Sequence, residues 1–171
     1  ISGPLIIEGG VAEGKDRSIR PAVMLPSEST AMPIDIDSQT EEMEQADRLN
    51  VFNDSSTADD QGWMTSVELS NEVVSLGDPI NISGLGMGTG LTVDISEAQD
   101  GSGEITFPGG ITFDDIEITE IMLGQGNDTF TIGATSAGTP GAEEFIVTVV
   151  HGGGNTELES GLMGGDTITV T

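Results

Sequence analysis

The 171-residue chain has no cysteine and no tyrosine, and it has only one tryptophan and five phenylalanines. Without cysteine there is no disulfide framework and no thiolate metal site. With so few aromatic side chains, the interior has to be built from isoleucine, valine, leucine, threonine and glycine, a composition that favours strands and turns over helices. The length suits one domain. We therefore predict a single all-β module over residues 1–171.

Basic residues are also scarce. Thirty acids stand against four bases, which gives a formal net charge of -26. Such a surface repels nucleic acid and anionic membranes, and its self-repulsion opposes the compact state unless cations neutralise it. No apolar run approaches the length of a membrane-spanning helix. We expect neither nucleic acid nor membrane insertion among the partners. All the bases lie early in the chain: Lys15, Arg17, Arg20 and Arg48.

The module divides into three parts along the chain. Residues 1–10 predict an N-terminal strand that pairs with a neighbouring unit, and residues 11–47 form a proline- and acid-rich region of extended or loop structure. Residues 48–171 form the main β body, whose regular apolar alternation argues against the disorder that acidic composition can produce. A capping-box spacing from Ser38 to Glu41 allows at most one short helix near 39–48, and an acidic loop fits that segment equally well.

A glycine turn that ends in aspartate and leads into a short alternating strand occurs more than once. The segments "GNDTFTIGAT" at 126–135 and "GGDTITVT" at 164–171 share the order Gly, Asp, Thr, apolar, Thr, apolar. Repeated turn–strand units are typical of stacked solenoids, while many short strands are also typical of sandwiches. The module is therefore predicted to be β-helix-like, solenoid-like or sandwich-like.

Calcium is the cofactor that these turns suggest. In "LGQGNDTFTI", residues 123–132, Gly124 and Gly126 can adopt positive φ and let carbonyl oxygens converge, and Asn127 and Asp128 add side-chain oxygens. Calcium in proteins is usually bound by six to eight oxygen ligands. The alternative is a turn in which Asp128 hydrogen-bonds its own backbone.

Further candidate calcium ligands lie in two other turns. Asp166 holds the position of Asp128 in the second glycine turn. The acidic loop "NDSSTADD" has no EF-hand spacing, so the sequence favours a solvated turn there, with a metal site as the alternative. The same holds for the paired acids Asp114–Asp115, which suggest a turn or bulge, and Glu143–Glu144. The candidate ligands of the acidic loop are Asn53, Asp54, Asp59 and Asp60.

The segment from Gly124 to Ile132 resembles the Gly-Gly-x-Gly-x-Asp-x-apolar-x repeat of the RTX proteins, with Leu123 in place of the leading glycine, and 164–170 resembles a degenerate copy. More widely, "GPLIIEGG", "DRLNVFNDSSTADDQGWMTS", "FPGGITFDDIEI" and "LGQGNDTFTI" occur in an order similar to a module found in tandem in very large secreted repeat proteins. This resemblance implies an extracellular or cell-surface location and a structural or adhesive role, and it implies no catalytic activity.

The two ends of the chain suggest assembly. Each carries a short uncharged strand, where unsupported chain normally frays, and exposed strand edges tend to pair with other chains. We expect head-to-tail association with identical or similar modules into a filament, matrix or adhesin-like surface protein. The absence of an initiator methionine suggests a mature fragment or an excised segment. The assembly residues are Ile1, Leu5, Ile6, Ile7, Ile168 and Val170.

Three Asn-x-Ser/Thr sequons, at Asn53, Asn81 and Asn127, are candidate glycan acceptors. Catalysis has little support, because the single histidine, His151, precedes a glycine turn without a nucleophile elbow or phosphate-loop motif. The prediction is therefore no enzyme and no catalytic residue, with Trp63 as a core anchor. The alternative function is a carbohydrate-active or ligand-binding secreted β-domain, against which the few aromatic side chains count.

Overall fold

The computed structural model describes residues 1–9, 46–69, 76, 78–94, 103–136, 146–154 and 165–171. Within these ranges the chain forms eleven strands and no helix, so the predicted all-β class is confirmed. The segment near 39–48 that allowed a short helix lies largely outside these ranges, and its last residue, Arg48, begins a strand. No described helix is long and apolar enough to cross a membrane.

The strands are short, as the frequent glycine turns predict. In chain order they are β1 (Leu5–Glu8), β2 (Arg48–Phe52), β3 (Gln61–Ser66), β4 (Ile80–Gly84), β5 (Leu91–Asp94), β6 (Glu104–Phe107), β7 (Ile111–Asp114), β8 (Ile118–Met122), β9 (Thr129–Ile132), β10 (Val147–His151) and β11 (Thr167–Val170).

Six of these strands form the larger sheet, in the order β1-β7-β4-β3-β9-β11. Strand β4 is antiparallel to both β7 and β3. The outer pairs are parallel, β1 with β7 at one side and β3, β9 and β11 at the other. The N-terminal strand thus pairs within its own chain, with Leu5 opposite Ile111. Its other edge is one of the two edges of the sheet, and β11 forms the second.

A second sheet is wholly parallel, in the order β10-β8-β2. A separate antiparallel pair, β5 with β6, completes the described strands. The core lies between the inner faces of the two main sheets. Strand β2 illustrates the alternation that produces it, because Leu49 and Val51 are buried while Arg48, Asn50 and Phe52 are exposed. The largest fully buried apolar side chains are Phe113, Phe130, Met64, Ile82, Ile121 and Leu123.

Trp63 departs from the sequence prediction. Its side chain is 43% exposed, because Gly62 and Met64 take the inward positions of β3. A Cβ atom on Gly62 would lie 2.6 Å from a ring carbon of Phe130. Phe130 therefore fills the space beside β3 and sets which face of the strand points inward. The prediction of Trp63 as a core anchor is wrong.

Candidate functional site

Three strand–turn–strand units stack on one another. They are β2–β3, β8–β9 and β10–β11, and each strand of the middle unit pairs in parallel with its counterparts above and below. Their connections are therefore superposed. We call these connections the turn stack: residues 53–60, residues 123–128, and the described residues 152–154 and 165–166 of the third. The turns also bond directly, since Gln125 donates its N–H to the carbonyl of Ser56 at 2.7 Å.

One aspartate of each turn immediately precedes a strand, and the three aspartates form a ladder. The N–H of Asp60 donates to Oδ1 of Asp128 at 2.8 Å, and the N–H of Asp128 donates to Oδ1 of Asp166 at 3.0 Å. The in-register pairing of Gln61, Thr129 and Thr167 brings these three positions together. The aspartate ladder therefore ties the three units through main-chain donors and side-chain acceptors.

The second carboxylate oxygen closes each aspartate's own turn. Oδ2 of Asp128 accepts the N–H of Gly124 at 2.8 Å, and Oδ2 of Asp166 accepts the N–H of Gly153 at 2.8 Å. Asp128 is 1% exposed. Backbone N–H groups aimed at a carboxylate stabilise its charge, and hydrogen bonds to charged groups are roughly twice as strong as neutral ones. Such bonds explain how an acid can lie buried here without a cationic side chain.

The first turn closes on Asp60 with side-chain donors instead. The Nδ2 of Asn53 donates to Oδ2 of Asp60 at 2.9 Å, and the hydroxyl of Ser56 donates to the same oxygen at 2.7 Å. Asn53 and Ser56 thus replace the glycine N–H of the other two turns. In all three turns Oδ2 of the aspartate accepts a hydrogen bond from its own turn, and only the donor differs. The acidic loop is therefore built in the same way as the two glycine turns.

The glycines of the stack are required by close packing between turns. A Cβ on Gly126 would lie 1.9 Å from the carbonyl oxygen of Ala58, and one on Gly153 would lie 1.3 Å from that of Gly124. Neither Gly124 nor Gly126 has the positive φ that the sequence suggested, and the described glycines that do are Gly84, Gly86 and Gly110. The expectation of positive φ is therefore wrong. Close approach of one backbone to another is the reason for glycine at these positions.

All nine predicted metal ligands lie on the turn stack, although they come from three separate sequence segments. The ladder carboxylates accept hydrogen bonds from N–H and O–H donors, however, and calcium requires oxygens that converge on the ion. Within the described ranges no group of three or more histidine, cysteine, aspartate or glutamate side chains is placed to hold a metal. The ladder itself therefore has the geometry of a hydrogen-bonded turn. Asp54 and Asp59 are exposed at the rim, where Asp59 accepts the N–H of Asn127 at 2.8 Å.

The three sequons differ in their surroundings. Asn81 is 3% exposed, and its Nδ2 lies within hydrogen-bonding distance of the carbonyl of Gly109 at 3.1 Å and the hydroxyl of Thr112 at 3.0 Å. A glycan on this nitrogen would displace those contacts. Asn53 and Asn127 are partly exposed in the turn stack, and each donates its side-chain amide to an aspartate.

A charged cluster on the outer face of the parallel sheet has no local sequence signal. Glu120 of the middle strand forms an ion pair with Arg48 on one side and lies 2.7 Å from Nε2 of His151 on the other. His151 ends β10 and does not lie in the turn that follows. Of the paired acids, Asp114 ends β7 and Asp115 has a φ of 51°, which fits the turn predicted there. Glu143 and Glu144 lie outside the described residues.

The sequence does not predict the ladder, because the residues that form it are spread along the chain. Each ladder aspartate is followed by a polar residue and then by one of three residues that lie in register, Phe130 in "DTF", Ile168 in "DTI" and Gly62 in "DQG". Of these three tripeptides, only "DTF" and "DTI" are similar in sequence. No family model matches the chain, and no curated protein or solved structure gives a significant match.

Proposed function

We propose that the chain is a structural module that associates head to tail with identical or similar modules, as part of an extracellular or cell-surface filament, matrix or adhesin-like protein. One observation carries this proposal. The two terminal strands, β1 and β11, form opposite edges of the same six-stranded sheet. Among the residues that the structure describes, no further strand pairs with the outer edge of β1 or of β11.

The two edges are compatible with one another. Strands β1 and β7 run together, β4 opposes β7, and β3, β9 and β11 oppose β4. Strands β1 and β11 therefore point the same way. When β1 of one copy pairs with β11 of the next, the sheet continues in parallel. Such a contact is heterologous, and a heterologous contact that does not close generates a filament.

Main-chain donors are available at both edges. Thr167 and Thr171 direct their N–H groups inward, to Asp128 and Ile132. Because donors alternate in direction along a parallel strand, the N–H groups of Ile168 and Val170 point outward. The apolar side chains there are exposed, 43% for Ile168 and 75% for Val170. Strand addition draws its affinity from such main-chain bonds.

The same alternation applies to β1. Leu5 and Gly9 donate inward to Gly110 and Asp114, so the N–H of Ile6 points to the open edge. Each strand has four residues, so about four new hydrogen bonds of roughly 0.5–1.5 kcal/mol each form. Because association also costs translational and rotational entropy, these bonds alone support only a contact weaker than ~1 mM, and side chains have to supply the rest. Covalent or lateral tethering of modules would raise the effective concentration.

The test uses proline to remove one outward donor at a time, since proline is tolerated at strand edges whose N–H faces solvent. Ile168→Pro blocks the β11 edge and Ile6→Pro blocks the β1 edge. Sedimentation of the unmodified protein at rising concentration should reveal a series of oligomers, and each variant alone should stay monomeric. A mixture of the two variants should form a dimer and nothing larger, because each supplies one intact edge. Equal association by all three proteins, or no dimer in the mixture, would refute head-to-tail pairing.

The proposal includes calcium binding at the exposed rim of the turn stack. The side chains of Asp54 and Asp59 are exposed in the first turn of the stack, and the -26 charge of the chain favours bound cations. Extracellular calcium modules typically have a Kd of ~10⁻⁴–10⁻³ M. Calcium at ten times its Kd would add ~1.4 kcal/mol to the free energy of unfolding. Melting in calcium, in equal magnesium and in chelator, at constant ionic strength, tests this part separately from assembly.

A further inference from the structure

Trp63 is the only tryptophan of the chain, and it lies on the outer face of the six-stranded sheet. Its side chain is 43% exposed. It lies in an interior strand of that sheet, so the surface around the indole is strand on both sides: Ser83 of β4 lies opposite it on one side and Thr131 of β9 on the other. An exposed indole in the middle of a sheet is a large apolar surface without an intramolecular role in the core.

The residues around Trp63 form regular rows, which we call the neutral face. One row runs across β3, β9 and β11 as Gln61, Thr129 and Thr167, and the next continues from Trp63 to Thr131 and Thr169. A third row runs from Thr65 on β3 to Gly133 and Thr171. A Cβ atom on Gly133 would lie 3.6 Å from Cγ2 of Thr65 and 3.6 Å from Oγ1 of Thr171. Neighbouring strands are about 4.8 Å apart and alternate residues about 6.6 Å apart along a strand, so hydroxyl groups recur at regular intervals across these rows.

This face carries no ionisable side chain at any of those positions, although the chain has thirty acids and four bases. The described positions of this face therefore offer no charged side chain to pair with an ionic ligand, and the net charge of -26 also repels an anionic one. The described rows therefore suit a neutral ligand that can accept and donate hydrogen bonds. Its chemistry consists of hydroxyl and amide groups beside one indole ring.

We propose that the neutral face binds a neutral polysaccharide, with a sugar ring stacked on the indole of Trp63. A pyranose ring presents a face of C–H bonds, which packs on an aromatic surface, and hydroxyl groups at its rim, which exchange hydrogen bonds with Thr131, Ser83 and Gln61. Tryptophan supplies such a combination of apolar area and polar edge. The edges used in head-to-tail pairing are left free by a ligand on the face, so this site stands whether or not the modules polymerise.

The test measures binding of the full chain to soluble neutral polymers, laminarin, dextran and hydroxyethyl cellulose, and to insoluble cellulose and chitin, with alginate as the anionic comparison. Because Trp63 is the only tryptophan, its fluorescence reports this face alone. At least one neutral polymer should shift or quench the emission, and alginate should leave it unchanged. In affinity electrophoresis or sedimentation with the polymer, Trp63→Ala should lower the affinity at least about tenfold, because a central aromatic residue typically contributes that much to binding.

The matched control is Phe52→Ala, which removes another exposed aromatic side chain, 63% exposed, from the other main sheet. It should bind as the unmodified protein does. Thr131→Glu gives a second variant that keeps the tryptophan and places a charge beside it, and it should also lose binding. The proposal is overturned if no neutral polymer binds, if Trp63→Ala binds equally well, or if the face instead mediates self-association that Trp63→Ala abolishes.

Discussion

Replacing Asp128 with alanine measures how much the aspartate ladder stabilises the fold. The carboxylate is 1% exposed and accepts N–H groups of Asp60 and Gly124, each at 2.8 Å. Removing it leaves two main-chain donors without their acceptor. Hydrogen bonds to charged groups contribute about 1.5–3 kcal/mol each, so their loss sums to about 3–6 kcal/mol. Relief of the buried charge offsets part of this, and we expect a net loss of about 3 kcal/mol.

Urea unfolding in chelator provides the assay, because any contribution from calcium is then removed. A loss of about 3 kcal/mol is a large part of the ~5–15 kcal/mol that stabilises a typical domain, and it should lower the midpoint without changing the slope. Asp128→Asn keeps one acceptor oxygen but places its amide NH₂ against one of the two backbone donors, Asp60 or Gly124. Its loss of stability should therefore lie between zero and that of Asp128→Ala. Asp54→Ala removes an exposed acid of the same turn stack and should change stability by about 0.5 kcal/mol or less.

Two results would refute this account of the ladder. The first is Asp128→Ala within about 1 kcal/mol of the unmodified protein in chelator, which would mean that solvent satisfies both donors. The second is a destabilisation that appears only when calcium is present, since Asp128 would then act as a metal ligand and not as an acceptor for the backbone.

Three further predictions concern the turns and the edges. Gly126→Ala should lower the free energy of unfolding by more than about 2 kcal/mol, because its Cβ would overlap a carbonyl oxygen of the adjacent turn. Gly165→Ala, with nothing within 4 Å of the added atom, should change it by less than about 0.5 kcal/mol in the same urea assay. Calcium should raise the melting temperature more than equal magnesium does, and Asp54→Ala combined with Asp59→Ala should abolish the excess. Ile168→Pro should remain monomeric in sedimentation while its circular dichroism matches that of the unmodified protein.

The fold class followed from the sequence, because the alternation of apolar residues and the frequent glycine turns are local features. The partners in the site did not follow. The bonds that the Asp128 carboxylate and N–H make to Asp60 and Asp166 join residues separated by 68 and 38 positions along the chain. Which unit stacks on which is decided by the register of β3, β9 and β11, and no local pattern specifies that register. The sequence therefore predicts the glycine turn, but it does not predict which backbone N–H groups the aspartate contacts.

The orientation of β3 illustrates the same limit at the level of one strand. In "QGWMTS" either tryptophan or methionine can face the core, since one faces inward when the other faces outward. The choice depends on Phe130, whose ring lies 2.6 Å from the Cβ position of Gly62 and therefore demands glycine on the inward face. That contact comes from a strand 68 residues away, as the pairing of Gly62 with Phe130 requires. Tryptophan is then turned outward onto the neutral face.

The acids of this chain have two different physical roles, and the distinction orders the experiments above. Asp128, the buried aspartate of the ladder, is held by main-chain N–H groups, so its stabilisation persists in chelator and is little affected by salt, because buried groups are weakly screened. Exposed acids such as Asp54 repel one another across the surface, and both salt and calcium reduce that repulsion. A rise in stability that sodium chloride reproduces at equal ionic strength is therefore screening. Only the additional stability that calcium gives beyond sodium chloride, and that is lost when the rim carboxylates are removed, indicates a specific calcium site.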